Sequence, residues 1–356
     1  VLQEKELFLS MYKIGNYQPE KAYKTSFSKF VPYVFCKETL ILETYIVGYK
    51  TEGEAIIFFI KSDGKISFSG LVDCFNTTDV DKVKEILSSN NVDKLDFICW
   101  THPDFDHSKG LKDIVDCYAK EDTGIWIPEG VDEKDIGCSK DVQDFFSYLK
   151  DNVVKRNNDF NVYSASDKKD LLAYNPIHFR KNYDEYPLKI TSYAPNSKQI
   201  RRQNYLEKFI KNDRSICFTI EIGKVKLLLT GDIENEMIKS VKDSIKFGGV
   251  NQHVHILKIP HHGSETSTGI VNVLVDDCDV ACATVYRKGK VNLPEPRAMQ
   301  VYHKHTRGLY CTGKHSQAEE SDKYGVLKVT TDIFANTYDI SLEGNATAWS
   351  RETEVS

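Results

Sequence analysis

An α/β sandwich of two mixed sheets with helices outside is the fold this sequence predicts. Three observations carry the prediction. Apolar runs of strand length alternate with stripes of helical period along most of the chain. Several of the runs stop at a Gly or Pro turn that bears His or Asp. At 356 residues the chain is long enough for one large layered domain with additions.

In chain order, strands are expected at Thr44–Val47, Glu54–Lys61, Lys65–Val72, Phe97–Thr101, Lys189–Tyr193, Ile216–Ile222, Val225–Thr230, His255–Ile259, Val280–Val285 and Leu309–Thr312. Between them, Asp79–Ser89 places Val80, Val83, Ile86 and Leu87 at helical spacing behind a Thr78 or Asp79 cap. Gly110–Lys120 aligns Leu111, Ile114, Val115 and Tyr118, and Asp141–Val154 aligns Val142, Phe145, Phe146, Leu149 and Val153. Such stripes are core-facing helix surfaces. Residues 1–40 are aromatic-rich without a clean period and read as an extension that packs on the domain or docks a protein partner. The domain proper is expected over 41–316, with a polar insertion at 155–186 beside the site mouth and C-terminal strands and tail at 317–356.

Composition narrows the class. The net formal charge of −5 argues against a generic nucleic-acid coat protein, and no run approaches the roughly 18 apolar residues of a membrane span. Nine cysteines with no Cys-x-x-Cys pair argue against a disulfide framework or zinc knuckle and point to a reducing cytoplasm. The first residues show no signal-peptide pattern.

The densest chemistry is Thr101-His102-Pro103-Asp104-Phe105-Asp106-His107, four metal-grade side chains in six residues after an apolar run. Imidazole with carboxylate suits Zn²⁺, Mn²⁺ or Fe²⁺. Two further strand-like runs end the same way: Leu227–Thr230 leads into Gly231-Asp232, and Ile256–Ile259 leads into Pro260-His261-His262-Gly263-Ser264. Strand ends of a layered sheet converge on one edge, so these residues can meet.

The order His-x-Asp-x-Asp-His, Thr-Gly-Asp, Pro-His-His-Gly-Ser resembles the metallo-β-lactamase fold, in its branch similar to the ComEC-type competence-protein hydrolase domain. Gly53–Ile57 with Gly70–Cys74 resembles that branch's opening hairpin and Asp motif, and Asn212–Ser215 resembles its segment before Thr-Gly-Asp. The resemblance spans about residues 45–315. It implies a metallo-β-lactamase-like αββα sandwich holding two divalent ions, Zn²⁺ or Mn²⁺. His102 and Asp104 would hold one, Asp106 and His107 the other, Asp232 would bridge, and one or both of His261 and His262 would complete the set. Asp73 would buttress the metal loop through hydrogen bonds. Catalysis would run through Asp106, Asp232 and His262, with Lys258, Ser264, Asn292 and Arg297 toward substrate. Two departures stand out: no histidine appears in Tyr193–Asn196, and Glu295 stands where that branch carries a histidine, as an oxygen ligand, as a substrate contact, or as the mark of a weakened second site.

Two basic groups point to substrate. Arg287, Lys288, Lys290, Arg297, Lys304, Arg307 and Lys314 form one; Lys198, Arg201, Arg202, Lys208, Lys211 and Arg214 form the other. Together at the metal edge they would attract a nucleic acid or other phosphodiester. The expected activity is a dinuclear metallohydrolase, a phosphodiesterase or nuclease using a metal-bridging hydroxide, and the resemblance extends to nuclease effectors of bacterial defence complexes. The rival readings are hydrolysis of a small ester, lactam or phosphodiester, and a partner-docked regulatory subunit that retains the fold.

Overall fold

The computed structural model describes residues 32–131, 138–155, 160–206, 209–247, 253–314 and 320–349. Most of the expected N-terminal extension lies outside these residues.

The chain runs β1 (Tyr33–Phe35), β2 (Leu40–Tyr49), β3 (Glu54–Ser62), β4 (Lys65–Val72), α1 (Lys82–Ser89), β5 (Phe97–Cys99), α2 (Phe105–Ser108), α3 (Leu111–Tyr118), β6 (Gly124–Pro128) and α4 (Lys140–Lys155). It continues through β7 (Asn161–Ala165), β8 (Lys169–Asp170), β9 (His178–Lys181), β10 (Asp184–Ala194), α5 (Ser197–Tyr205), β11 (Cys217–Ile222), β12 (Val225–Leu229), α6 (Asn235–Phe247), β13 (Ile256–Lys258) and β14 (Cys278–Ala283). The last elements are the hairpin β15 (Tyr286–Lys288) and β16 (Val291–Leu293), α7 (Pro296–His303), β17 (Thr306–Cys311), β18 (Tyr324–Asp332), β19 (Thr337–Gly344) and β20 (Thr347–Ala348).

Two mixed sheets result. One is ordered β19-β18-β2-β3-β4-β5-β6-β7; the other is β1-β9-β10-β11-β12-β13-β14-β17-β20, with β8 on β10. In each, an antiparallel part gives way to a parallel run: β4-β5-β6-β7 in the first, β12-β13-β14-β17 in the second. Strand alternation builds the layers. Ile56, Phe58 and Ile60 of β3 face the core between the sheets, where Phe218, Ile220, Leu227 and Leu229 of the second sheet meet them. Ala55, Ile57 and Phe59 face outward with Val83, Leu87, Leu111 and Phe145 of the helices. The second sheet's outer face buries Met237 and Val241 of α6 and Met299 of α7. The expected α/β sandwich with helices outside is therefore the observed fold.

One local reading changes. The first helix starts at Lys82, capped by Asp81 Oδ1 on the Lys84 N–H at 3.1 Å rather than by Thr78 or Asp79. Thr77 Oγ1 instead accepts the Val80 N–H at 3.1 Å, holding 77–80 in its own turn. The stretch 155–186, expected as a polar insertion, contains β7, β8 and β9, which pair into the two sheets. The C-terminal strands are equally integral: β18 pairs with β2 along nine positions from Tyr324↔Tyr49 to Asp332↔Ile41.

Candidate metal centre

Both parallel runs end at one edge, and the polar residues that follow their strands meet there. Asp73 follows β4, His102 to His107 follow β5, Asp232 follows β12, His261 and His262 follow β13, and Thr284 follows β14. Glu54 opens β3, which runs antiparallel to β4 and so begins where β4 ends.

Three histidines have their Nδ1 sides held from behind. Thr101 Oγ1 donates to Asp73 Oδ2 at 2.6 Å, so it accepts from His102 Nδ1–H at 3.0 Å. Asp73 Oδ2 also accepts from His107 Nδ1–H at 2.8 Å. Thr284 Oγ1 donates to Glu54 Oε2 at 2.6 Å and accepts from His262 Nδ1–H at 2.8 Å. A neutral imidazole has one N–H, so this network leaves each Nε2 as a lone pair.

Those lone pairs converge. Asp232 Oδ2 lies 3.7 Å from His102 Nε2, 3.6 Å from His107 Nε2 and 3.5 Å from His262 Nε2. His107 Nε2 and His262 Nε2 face each other at 3.3 Å. Asp106 Oδ2 lies 3.0 Å from His262 Nε2 and 3.4 Å from His107 Nε2, and Asp104 Oδ2 lies 3.6 Å from His102 Nε2. Acceptors face acceptors, which is unfavourable unless protons or cations stand between them. Atoms bound to one ion at roughly 2.1 Å stand about 3.4 Å apart in a tetrahedron, so the spacing fits a metal. His102 Nε2 and Asp232 Oδ1 are buried with no hydrogen-bond partner, as atoms reserved for an ion would be. In the ion-free chain the charges compensate one another. Burial raises the Asp232 carboxyl, but the His262 and His107 rings more than offset this and hold it well below the carboxylate range. Burial lowers His107, but Asp232 and Glu54 push it well above its ordinary value.

Backbone strain helps to aim these groups. Asp73, His261 and His262 all have left-handed φ, at 56°, 48° and 52°, which non-glycine residues seldom adopt. The two consecutive left-handed residues separate the histidines: His262 enters the cluster while His261 Nδ1 lies 3.3 Å from Glu234 Oε1. Gly263, at φ 85°, permits the turn, and a Cβ there would stand 2.6 Å from Pro294 Cβ.

Other predicted site residues fall elsewhere. Glu295 precedes α7, and its Oε2 accepts the Glu265 N–H at 2.5 Å; it is outside the clusters of metal-grade side chains found among the described residues. Lys258, expected toward substrate, is wholly buried, with Nζ 2.7 Å from Glu54 Oε2 and donating to Ile259 O at 2.9 Å. Its charge is paired with Glu54 beneath the cluster. Ser264 is also buried and accepts the Thr266 N–H at 3.3 Å. Asn292 and Arg297 are exposed, on β16 and the first turn of α7. Asp104 holds the helix-cap position before α2 but makes no cap hydrogen bond; its Oδ1 lies 2.8 Å from Lys211 Nζ.

Glu54 is the residue that sequence patterns missed. Its one signal was a carboxylate at the head of an otherwise apolar run, Glu54–Ile60. It is 1% exposed, pairs with Lys258, and lies 3.7 Å from His107 Nδ1 and 3.5 Å from His262 Nδ1.

The rim is a cleft of about 260 Å³ lined by Asp104, Asp106, Lys211, Tyr286, Lys288 and Phe105, with Glu52 and Ser139. Of the two basic groups of the sequence, Lys211 and Lys288, one from each, line it. Arg214 is buried on Gly130 O and Asn204, Arg287 pairs with buried Glu320 at 2.6 Å, and Arg307 pairs with Asp279 away from the cleft. Lys208 lies outside the described residues.

No family model matches the chain, and no curated protein matches it significantly. Among solved structures it is similar to a diphosphatase of the PhnP family, at 11% identity and TM-score 0.39, over 82% of this chain and 98% of that one. It is also similar to a mutant of the CmlA β-hydroxylase, at 12% and 0.35 over 73% and 44%, and to the Rm3 metallo-β-lactamase, at 9% and 0.34 over 60% and 73%. Likenesses this distant carry no weight for the chemistry, and the layer order stands on the strand pairing itself. The donor set and its spacing make this edge of the sandwich a site for divalent metal.

Proposed function

We propose that the protein is a metal-dependent hydrolase of a phosphodiester, with His102, Asp104, Asp106, His107, Asp232 and His262 holding two ions, Zn²⁺ or Mn²⁺. One observation carries this reading: three histidine lone pairs converge on Asp232 beside a cleft rimmed by Lys211, Lys288 and Tyr286. When bound, the ions supply an acidified water and a Lewis acid for a phosphoryl oxygen.

The chain's own residues do the rest. Asp73, Thr101, Thr284 and Glu54 hold the rings in the orientation that ligation needs. Lys211 and Lys288, paired in the ion-free chain with Asp104 at 2.8 Å and Glu52 at 2.9 Å, would turn to an anionic group at the rim and offset charge that develops on it. Burial and the Asp106, Glu52 and Asp104 carboxylates push the Tyr286 phenol up to about 12, so it keeps its proton at neutral pH and can donate a hydrogen bond. Burial raises the Asp106 carboxyl, but the His107 and His262 rings more than offset this and keep it ionised, as ligation requires.

Two lysines on a small rim suit one phosphodiester group. The nuclease form of this reading extends the same chemistry to a polymer, and a place in a defence complex would require partner docking through residues 1–40. The test is hydrolysis of bis-p-nitrophenyl phosphate and of labelled single- and double-stranded DNA and RNA by metal-stripped protein resupplied with Mn²⁺, Zn²⁺ or Mg²⁺. Cleavage restored by metal and lost in an Asp104→Ala, His107→Ala variant supports the reading. Two bound ions without any phosphodiester cleavage overturn it in favour of a small carboxylic ester or lactam.

A further inference from the structure

A second histidine-rich cluster lies at the opposite end of β13 and β14. His253 and His255 precede β13, and Asp279 is near the start of β14, the adjacent parallel strand. One ligand atom from each of the three lies within 4.8 Å of the others. They line a separate cleft of about 580 Å³ with Asn336 and Tyr338.

Each of the three has a second atom held by an outer partner. His253 Nδ1 is 2.9 Å from Asp276 Oδ1, which leaves Nε2 directed at Asp279 Oδ2, also at 2.9 Å. Asp279 Oδ1 is held by Arg307 Nη1 at 2.9 Å. His255 Nε2 lies 3.1 Å from Asn336 Oδ1, while its Nδ1 meets the Lys226 N–H at 3.3 Å, a long contact that a stronger electrophile could replace. A carboxylate behind a histidine, with that ring's other nitrogen facing a second carboxylate, is the arrangement that orients metal ligands. Two imidazoles and one carboxylate, with an open side on a cleft, match an open zinc-type site.

We propose that His253, His255 and Asp279 bind one divalent transition-metal ion of the Zn²⁺ class, distinct from the ions of the His102–His262 cluster. In the ion-free chain a proton bridges His253 Nε2 and Asp279 Oδ2; the ion takes its place and the proton leaves to solvent. The bound ion would tie the starts of β13 and β14 together.

The test avoids the first cluster. In the full chain carrying His107→Ala, Asp232→Asn and His262→Ala, which leaves the first cluster a single imidazole, Zn²⁺ content is measured after gel filtration and affinity by competition with a chromogenic chelator. One ion per chain is expected, and His253→Gln on that background should abolish it with an unchanged circular dichroism spectrum. Asp276→Asn, at an exposed position that leaves all three ligands intact, should weaken affinity about 10–100-fold. Equal Zn²⁺ content and affinity with and without the His253 and Asp276 substitutions would overturn the proposal, whatever the first cluster does.

Discussion

At the scale of single residues, the ligands explain less than what stands behind them. Glu54 and Lys258 form an ion pair closed off from water, and each is 1% exposed or less. Breaking such a pair from one side strands a buried charge at a cost of about 3–5 kcal/mol. Lys258→Met should therefore lower urea-unfolding stability by that order, and adding Glu54→Gln should recover much of the loss; equal stability of Lys258→Met and the wild type would show that water reaches Glu54. Asp73→Asn leaves all proposed ligands in place but weakens the anchor of the His107 and Thr101 side chains. It should reduce Zn²⁺ affinity about 10–100-fold by calorimetry. His102, Asp104, Asp106 and His107 were legible because one turn concentrates them. Glu54 was not, because its partners Lys258 and Thr284 are 204 and 230 positions away and no local pattern links them.

At the scale of elements, β18 is the most consequential strand outside the motifs. It lies between β19 and β2, and a Cβ on Gly325 would fall 1.9 Å from Thr312 O. Backbone cannot yield as a flexible side chain can, so Gly325→Ala should cost at least about 1–3 kcal/mol, read as a fall in thermal midpoint. The turn between β3 and β4 makes a prediction about acid. Backbone N–H groups of Lys37, Glu38 and Thr39 donate to the Asp63 carboxylate and depress its pKa to about 2. Since the folded value is the lower one, this contribution is complete above the unfolded carboxylate pKa of about 3.9 and disappears as pH falls through about 2. Carboxyl-carbon NMR should show the low midpoint, and Asp63→Asn should flatten the stability profile in that window; a midpoint near the ordinary value would contradict the anchoring role. The strand β7 was not foreseen, and β18 and β19 were expected only as C-terminal strands without bounds. Exposed polar residues break the apolar runs of β7 and β19, and β18 has meaning as a strand chiefly through its pairing with β2.

At the scale of the whole molecule, both sheets direct their parallel runs to one edge and close it with buried charge. Binding that favours the folded chain stabilises it by about 2.7 kcal/mol at a free ion concentration 100 times the dissociation constant. Zn²⁺ or Mn²⁺ should thus raise the thermal midpoint of chelator-treated protein. Part of that rise should vanish in the His107→Ala, Asp232→Asn, His262→Ala variant, leaving the share due to the distal cluster; an unchanged midpoint on adding either ion would contradict a preorganised centre. Among the described residues no helix is long and apolar enough to cross a membrane.

What the sequence determined by itself was local: the period of each stripe, the turn chemistry at strand ends, and the types of side chain placed there. Those features rest on neighbours within a few positions, so the α/β class and the His102–His107, Asp232 and His261–His262 motifs could be read directly. Tertiary structure decided which histidine of the pair enters the cluster, because two left-handed residues point His262 inward and leave His261 near Glu234. It also buried Lys258, paired Arg287 and Arg307 of the basic groups with Glu320 and Asp279, and set Glu295 on the Glu265 amide. Each outcome depends on partners distant in sequence, and folding brings them close enough for charge and hydrogen bonding to act.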